Sequence, residues 1–256
     1  MKKLLLLLVS VCLMFMVGCS EQNSQIAEIK KRGELRVGVK SDVPKFGYLN
    51  PATDVYEGLE IDIAKALAKS IIGDENAINF VPVTALTRDT LLSSNEIDFI
   101  IATFTITDAR KETYNFTEPY YTDEIGFLTK GDSGITDVEG MEGKVVGATF
   151  SSTAYDLLES GEFDSRAVFT RKGYASYPEV KNALATGVVD VFVADKSILY
   201  GYLDEGMVML DEGFAPQPYG IATRLSDTDF AKYIDTQLQT MKNDGSLKTI
   251  FTRWSL

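Results

Sequence analysis

Apolar and polar positions along this chain follow two periods that take turns. Leu35-Arg-Val-Gly-Val39 alternates and is β-branched, which predicts a strand. Ile61, Ala64, Leu67 and Ile71 recur at helical spacing, so residues 59–71 read as an amphipathic helix with its lysines outside. Ile78-Asn-Phe-Val-Pro-Val83 predicts a second strand, Leu86 to Ser94 a short helix, and Ile97-Asp-Phe-Ile-Ile101 a buried strand. A second series opens at Lys144-Val-Val-Gly-Ala148, with helices at 152–160, 176–187 and 196–204 and strands at Arg166–Thr170 and Val188–Val193. Two extended segments, 124–129 and 217–223, stand between the series and read as crossings. In the tail, Ser226-Asp-Thr-Asp229 looks like a capping-box start with Asp in place of Glu. Gly245 fits the position after a helix end, and Ser246 begins a last short helix. Strands alternating with helices predict an α/β fold of two lobes, each a mostly parallel sheet flanked by helices. The expected division is lobe one at 26–123 plus 221–256, lobe two at 128–216, and hinge segments at 124–127 and 217–220.

The first residues break this pattern. Met1-Lys2-Lys3 is basic, and the apolar stretch Leu4 to Val17 is short for a membrane span but has a signal peptide's flanks. Met16-Val17-Gly18-Cys19 resembles the lipobox of bacterial lipoproteins, which implies cleavage after residue 18 and a diacylglyceryl group on Cys19. An ordinary signal peptide or an N-terminal anchor is the alternative. Residues 19–25 are polar and suit a short tether. The remaining 238 residues suffice for one large domain or two small ones. Cys12 lies in the removed segment, so no disulfide is expected and stability must come from packing. The net charge of −12 becomes about −14 once Lys2 and Lys3 are gone, which argues against nucleic acid and anionic lipid surfaces as partners. Histidine is absent, which excludes histidine triads and most zinc sites. No cofactor or metal is expected.

Candidate chemistry centres on Arg110, in Ala102-Thr-Phe-Thr-Ile-Thr-Asp-Ala-Arg110 directly after the buried strand. A guanidinium grips a carboxylate with two parallel charge-assisted hydrogen bonds, and Thr103 and Thr105 stand at short offsets to orient the same ligand. The pattern reads as a site for an amino acid's carboxylate. Further motifs follow in order: Leu35 to Lys40, Gly58-Leu-Glu-Ile-Asp62, Asn115-Phe-Thr-Glu-Pro-Tyr-Tyr121, Gly147 to Thr153 and Val191-Phe-Val-Ala-Asp195. The ordered set resembles the extracellular amino-acid-binding proteins of ABC importers, most of all their aspartate- and glutamate-binding lipoproteins, over nearly the whole mature chain.

That resemblance implies a type II periplasmic-binding-protein fold and a site carried over by motif. Arg110, helped by Thr105, would hold the α-carboxylate, and Thr103 the ammonium. Ser152 and Thr153 open a helix whose N–H groups favour an anion, although simple N-capping is the plainer role. Asp195 would pair with the ammonium, or else cap the helix that starts beside it. Lys40 and Arg88 match positions that hold a distal carboxylate, with Tyr177 a further pocket residue. Two buried cations in so acidic a chain favour glutamate or aspartate. If both are instead solvated, a neutral ligand such as glutamine follows. Phe46 and Tyr48 are candidates for an aromatic wall, on a loop from Pro44 to Tyr56. The implied partners are an ABC permease and, through Cys19, the outer face of the cell membrane, with a monomer as the default. An amino-acid sensor is the alternative role. An enzyme of the same architecture is disfavoured, since Asp195 is the one obvious acid–base carboxylate and is assigned to the ammonium.

Overall fold

The computed structural model describes residues 25–163 and 165–256, so the expected signal segment, the expected lipid site Cys19 and most of the expected tether lie outside the described residues. Helix α1 (Gln25–Arg32) leads into β1 (Leu35–Val39), β2 (Asp42–Val43), β3 (Gly47–Asn50), β4 (Val55–Glu57) and α2 (Leu59–Ile72). Then come β5 (Ile78–Pro82), α3 (Arg88–Ser93), β6 (Phe99–Ile101), α4 (Asp108–Lys111), β7 (Tyr114–Phe116) and the long β8 (Tyr121–Lys130). The second half holds β9 (Val145–Thr149), α5 (Thr153–Glu159), β10 (Thr170–Tyr174), α6 (Tyr177–Thr186), β11 (Val191–Asp195) and α7 (Lys196–Gly201). It closes with β12 (Met207–Met209), β13 (Phe214–Tyr219), β14 (Ala222–Arg224), α8 (Thr228–Asn243) and α9 (Ser246–Trp254).

Two sheets result. One runs β5-β1-β6-β14-β7, and the other runs β10-β9-β11-β8-β12 with β13 also on β8. Each is parallel where helices carry the chain back, as β1 lies between β5 and β6, and β9 between β10 and β11. Each turns antiparallel where β8, β12, β13 and β14 join, so both sheets are mixed. A strand that returns without a covering helix can pair only against its neighbour's direction. Among the described residues no helix is long and apolar enough to cross a membrane.

Helix α2 shows why the pattern folds as it does. Leu59, Ile61, Ile63, Ala64, Leu67, Ala68 and Ile71 are buried along one broad face. At its start Gly58 has φ 135° and lies so close to Phe46 that a Cβ would stand 2.0 Å from the Phe46 carbonyl oxygen. Only glycine fits there. Phe46 in turn packs edge-on against Tyr121 and Tyr219, the rings at which the two crossing strands meet lobe one.

Several expectations shift. The strand expected at 166–170 lies at 170–174, because Arg166 is drawn into ion pairs with Glu139 and Glu212. Thr170-Arg-Lys-Gly-Tyr174 is a polar edge strand, and such edges lack an apolar signature. The loop expected from Pro44 to Tyr56 instead carries most of the small antiparallel sheet β2-β3-β4, which spans residues 42–57. The capping box of Ser226 and Asp229 before α8 is not made: the cap position falls on Asp227, whose carboxylate accepts from Ser226 Oγ at 3.0 Å and from Arg224 Nε at 2.7 Å.

Candidate functional site

The carboxyl ends of β6 and β11 bring the loop 102–110 and Asp195 to opposite walls of one crevice, closed in by α3, the N-terminus of α5 and Tyr177 of α6. It is tight, with a cavity volume of about 10 Å³. Arg88, Thr103, Thr105 and Arg110 line one side; Ser152, Thr153, Tyr177 and Asp195 line the other. A wider open recess of about 630 Å³ beside β8 and α7 holds charges that already pair, as in Lys196–Glu124. Nothing there converges on a ligand.

The positive wall is built on Phe104. The Arg88 guanidinium lies 3.8 Å from the centre of that ring and the Arg110 guanidinium 4.6 Å. An aromatic face attracts both cations. Arg110 Nη1 donates to the Thr105 carbonyl at 2.8 Å, and Nη2 of each arginine reaches the Ser151 carbonyl at 3.3 Å. Arg88 is 6 % exposed, and its Nε is buried without a hydrogen-bond partner among the described residues. Burial, and then the neighbouring charge of Arg110, push Arg88 down to about 10.

The negative wall is Asp195, 5 % exposed at the end of β11. Burial raises its carboxyl to about 7, against the hydrogen bond from Tyr219 and the pull of Arg110 and Arg88. Asp195 occupies the cap position of α7 but makes no capping bond. Tyr219 Oη donates to it at 2.5 Å and also lies 3.1 Å from Asp123 Oδ2. Asp123 takes the capping duty, accepting from the Ser197 N–H at 2.9 Å.

Thr103 sits at φ 44°, where a threonine is strained. Glu60 holds it there, accepting its N–H at 2.6 Å while also accepting Tyr120 Oη at 2.5 Å. Glu60 is wholly buried and burial raises its carboxyl to about 7. Ser152 caps α5, accepting from the Tyr155 N–H at 3.1 Å and donating to Thr149 O at 2.6 Å. The hydroxyls of Thr105 and Thr153 both donate to Gln217, at 2.8 and 2.6 Å.

Eight of the nine expected ligand residues thus share one crevice. Lys40 stands apart. Its ammonium is 3.0 Å from Asp42 Oδ1 and 4.7 Å from the centre of the Tyr177 ring, behind the crevice and not in its lining. Burial lowers its pKa, against the nearby Asp42. Phe46 and Tyr48 line nothing here; the first is wholly buried at the junction and the second pairs in β3. Glu60, Phe104, Gln217 and Tyr219 went unnamed as site residues from sequence. Of these only Glu60 left a signal, an acid within the apolar face of residues 59–71.

With this geometry in hand, likeness to known proteins becomes informative. Residues 35–256 match the bacterial extracellular solute-binding proteins, family 3. The ABC transporter glutamine-binding protein GlnH of Bacillus subtilis is 36% identical over 233 residues, covering 90% of this chain and 84% of that protein. The glutamate-binding protein GluB of Corynebacterium efficiens is 28% identical over 253 residues, covering 92% and 83%. Among solved structures, the cysteine-binding protein from Campylobacter jejuni superposes with a TM-score of 0.82 at 27% identity, covering 90% of this chain and 92% of that one.

Proposed function

This chain belongs to the bacterial extracellular solute-binding proteins of family 3, and on that premise we propose that its crevice takes glutamate or aspartate for delivery to an ABC-type permease. It is an extracytoplasmic amino-acid-binding protein of ABC transport and not an enzyme.

Charge carries the choice of ligand. Arg88 and Arg110 face one carboxylate, Asp195, across a buried crevice. A free amino acid with a second carboxylate brings two negative groups and one positive, which leaves the filled site neutral. Glutamine leaves a buried positive charge unpaired, and such charges are costly. Arg110 and the N–H groups that open α5 hold the α-carboxylate, Asp195 and Thr103 hold the ammonium, and Arg88 meets the distal carboxylate beside Tyr177. Lys40, already matched by Asp42, supports Tyr177 from behind. The hinges lie in β8 and β13, with lobe one at 26–123 plus 221–256 and lobe two at 128–216. A lipid on Cys19 tethers a monomer to the cell surface.

Glutamine is the second reading, because GlnH of B. subtilis and a glutamine-binding protein of Geobacillus stearothermophilus, at 36% and 37% identity, are more similar than the glutamate-binding relatives. Titration calorimetry with glutamate, aspartate and glutamine decides. Binding of glutamate or aspartate at least about tenfold tighter than glutamine is expected, the value of one 1.4 kcal/mol step. Tightest binding of glutamine would overturn the choice.

A further inference from the structure

Gln217 lies on β13, and its side chain is 3 % exposed. Its amide oxygen accepts two hydroxyls at once, Thr105 Oγ1 from the loop after β6 and Thr153 Oγ1 from the first turn of α5. Those two threonines stand on opposite walls of the crevice. The amide nitrogen donates to the Ala215 carbonyl at 2.7 Å, so both ends of the group are engaged and its direction is set. Main-chain pairing of Thr105 with Tyr219 brings the loop alongside the strand. One atom on a crossing strand is therefore the shared acceptor of both jaws.

We propose that Gln217 is a positioning residue that latches the two jaws and sets the direction of the threonine hydroxyls. A hydroxyl has one proton and two lone pairs. With the proton given to Gln217, the oxygen of each threonine faces the crevice only as an acceptor. It then suits an ammonium, while the anion is left to Arg110 and to backbone N–H groups. The latch also favours the closed arrangement by itself, since opening separates Thr105 from Thr153 and strips Gln217 of a buried partner. Such a loss is unfavourable even when water replaces part of it. The affinity part of this inference rests on the amino-acid-binding role; the closure part does not.

The test compares Gln217→Met, which keeps the size and loses the acceptor, with Gln217→Glu, which keeps it. Small-angle scattering of the ligand-free full chain reads closure, and calorimetry with glutamate reads affinity. Gln217→Met is expected to enlarge the radius of gyration and to weaken glutamate about tenfold, the scale of one buried hydrogen bond. Gln217→Glu stays nearer the parent in radius. Thr153→Val adds no further loss in the Gln217→Met background. An unchanged radius and affinity in Gln217→Met, or losses that multiply independently, would overturn the latch. Should Gln217→Met fail to fold, Thr153→Val against Thr153→Ser asks the same question. The valine variant opens the chain and the serine variant does not, and equal radii again overturn the proposal. If the parent binds no amino acid, the ligand reading fails, while the scattering comparison still decides the latch.

Discussion

Arg110 and Arg88 share the Phe104 ring but have separate duties. Arg110 is tied to Thr105 and Ser151 beside the start of α5, and in the proposed site it holds the α-carboxylate that every amino acid carries. Arg88 Nε is buried without a hydrogen bond, its nearest carboxylate being Asp89 at 3.9 Å, and in the proposed site Arg88 meets only the second carboxylate. Arg110→Ala is therefore expected to abolish binding of glutamate and glutamine alike. Arg88→Gln is expected to weaken glutamate by about a hundredfold and glutamine by under about threefold, since truncating one partner of a buried charge pair typically costs several kcal/mol. Calorimetry on both ligands checks this, and equal losses for the two ligands from Arg88→Gln would sink the division of labour.

Asp195 couples binding to pH at the same scale. Its folded value of about 7 lies above the ordinary 3.8, so the folded chain holds a proton that the unfolded chain releases. That contribution to stability is full below about 4 and is lost as the pH rises through about 7. Glu60, also raised to about 7, acts in the same direction. Ligand binding follows the opposite course, because an ammonium needs the bare carboxylate. Below about pH 7 the affinity is expected to fall roughly tenfold per unit, as one proton must leave for each ligand bound. Calorimetry in two buffers of different ionisation enthalpy counts that proton. The Asp195→Asn variant is expected to lose its share of the pH slope in melting temperature, with the Glu60 share remaining, along with most of the binding. A slope unchanged in Asp195→Asn would move the titration to another group.

Among the elements, α7 and the turn before β3 show how closure is confined to few contacts. Gly201, the last residue of α7, faces Pro44 so closely that a Cβ would stand 2.6 Å from its Cδ. One residue on, Tyr202 Oη donates to the Asp42 carbonyl at 2.7 Å. These groups belong to opposite lobes and touch no ligand position. Gly201→Ala suits a helix better than glycine by about 0.5–1 kcal/mol. The ligand-free melting temperature is therefore expected to hold or rise, while glutamate affinity falls by about tenfold through overpacking of the closed form. A melting scan and a titration check the two directions together. Unaltered affinity would show that the contact yields on closure.

These elements were legible to different degrees. The helix at 59–71 was plain because burial follows its period, and the strand at 97–101 because all of it but Asp98 is apolar. The polar edge strand at 170–174 was not, since its residues meet solvent and its partner is β9. The small sheet of residues 42–57 was hidden for a similar reason. Its pairing depends on the turn at Gly47 and on register between short strands, neither of which writes a repeat into the sequence.

For the molecule as a whole, a ligand shifts the balance of open and closed forms only as far as it binds one better than the other. Contacts made by both jaws are the ones that count. Among the described residues they include the Ser151 carbonyl on both arginines, the Gln217 oxygen on both threonines, the Tyr202–Asp42 bond, the Gly201–Pro44 contact and Lys40 on the Tyr177 ring. The acidic surface around them does not prevent an anion from binding, because the field inside a narrow, poorly hydrated crevice is set by its own walls.

The sequence by itself determined the alternation of strands and helices, apart from the small sheet and the edge strand at 170–174, together with the two-lobed α/β class and the residue types at the ends of β6 and β11. Each of these is written in neighbours along the chain, through periodicity and through motifs a few residues long. Only the tertiary structure decided which side chains are already satisfied. Lys40 is matched by Asp42, Phe46 is buried at the junction, Asp195 is held by Tyr219, and Gln217 serves Thr105 from 112 residues away. Desolvation and hydrogen-bond partnership depend on what the folded chain brings alongside a group, and no local pattern encodes that encounter.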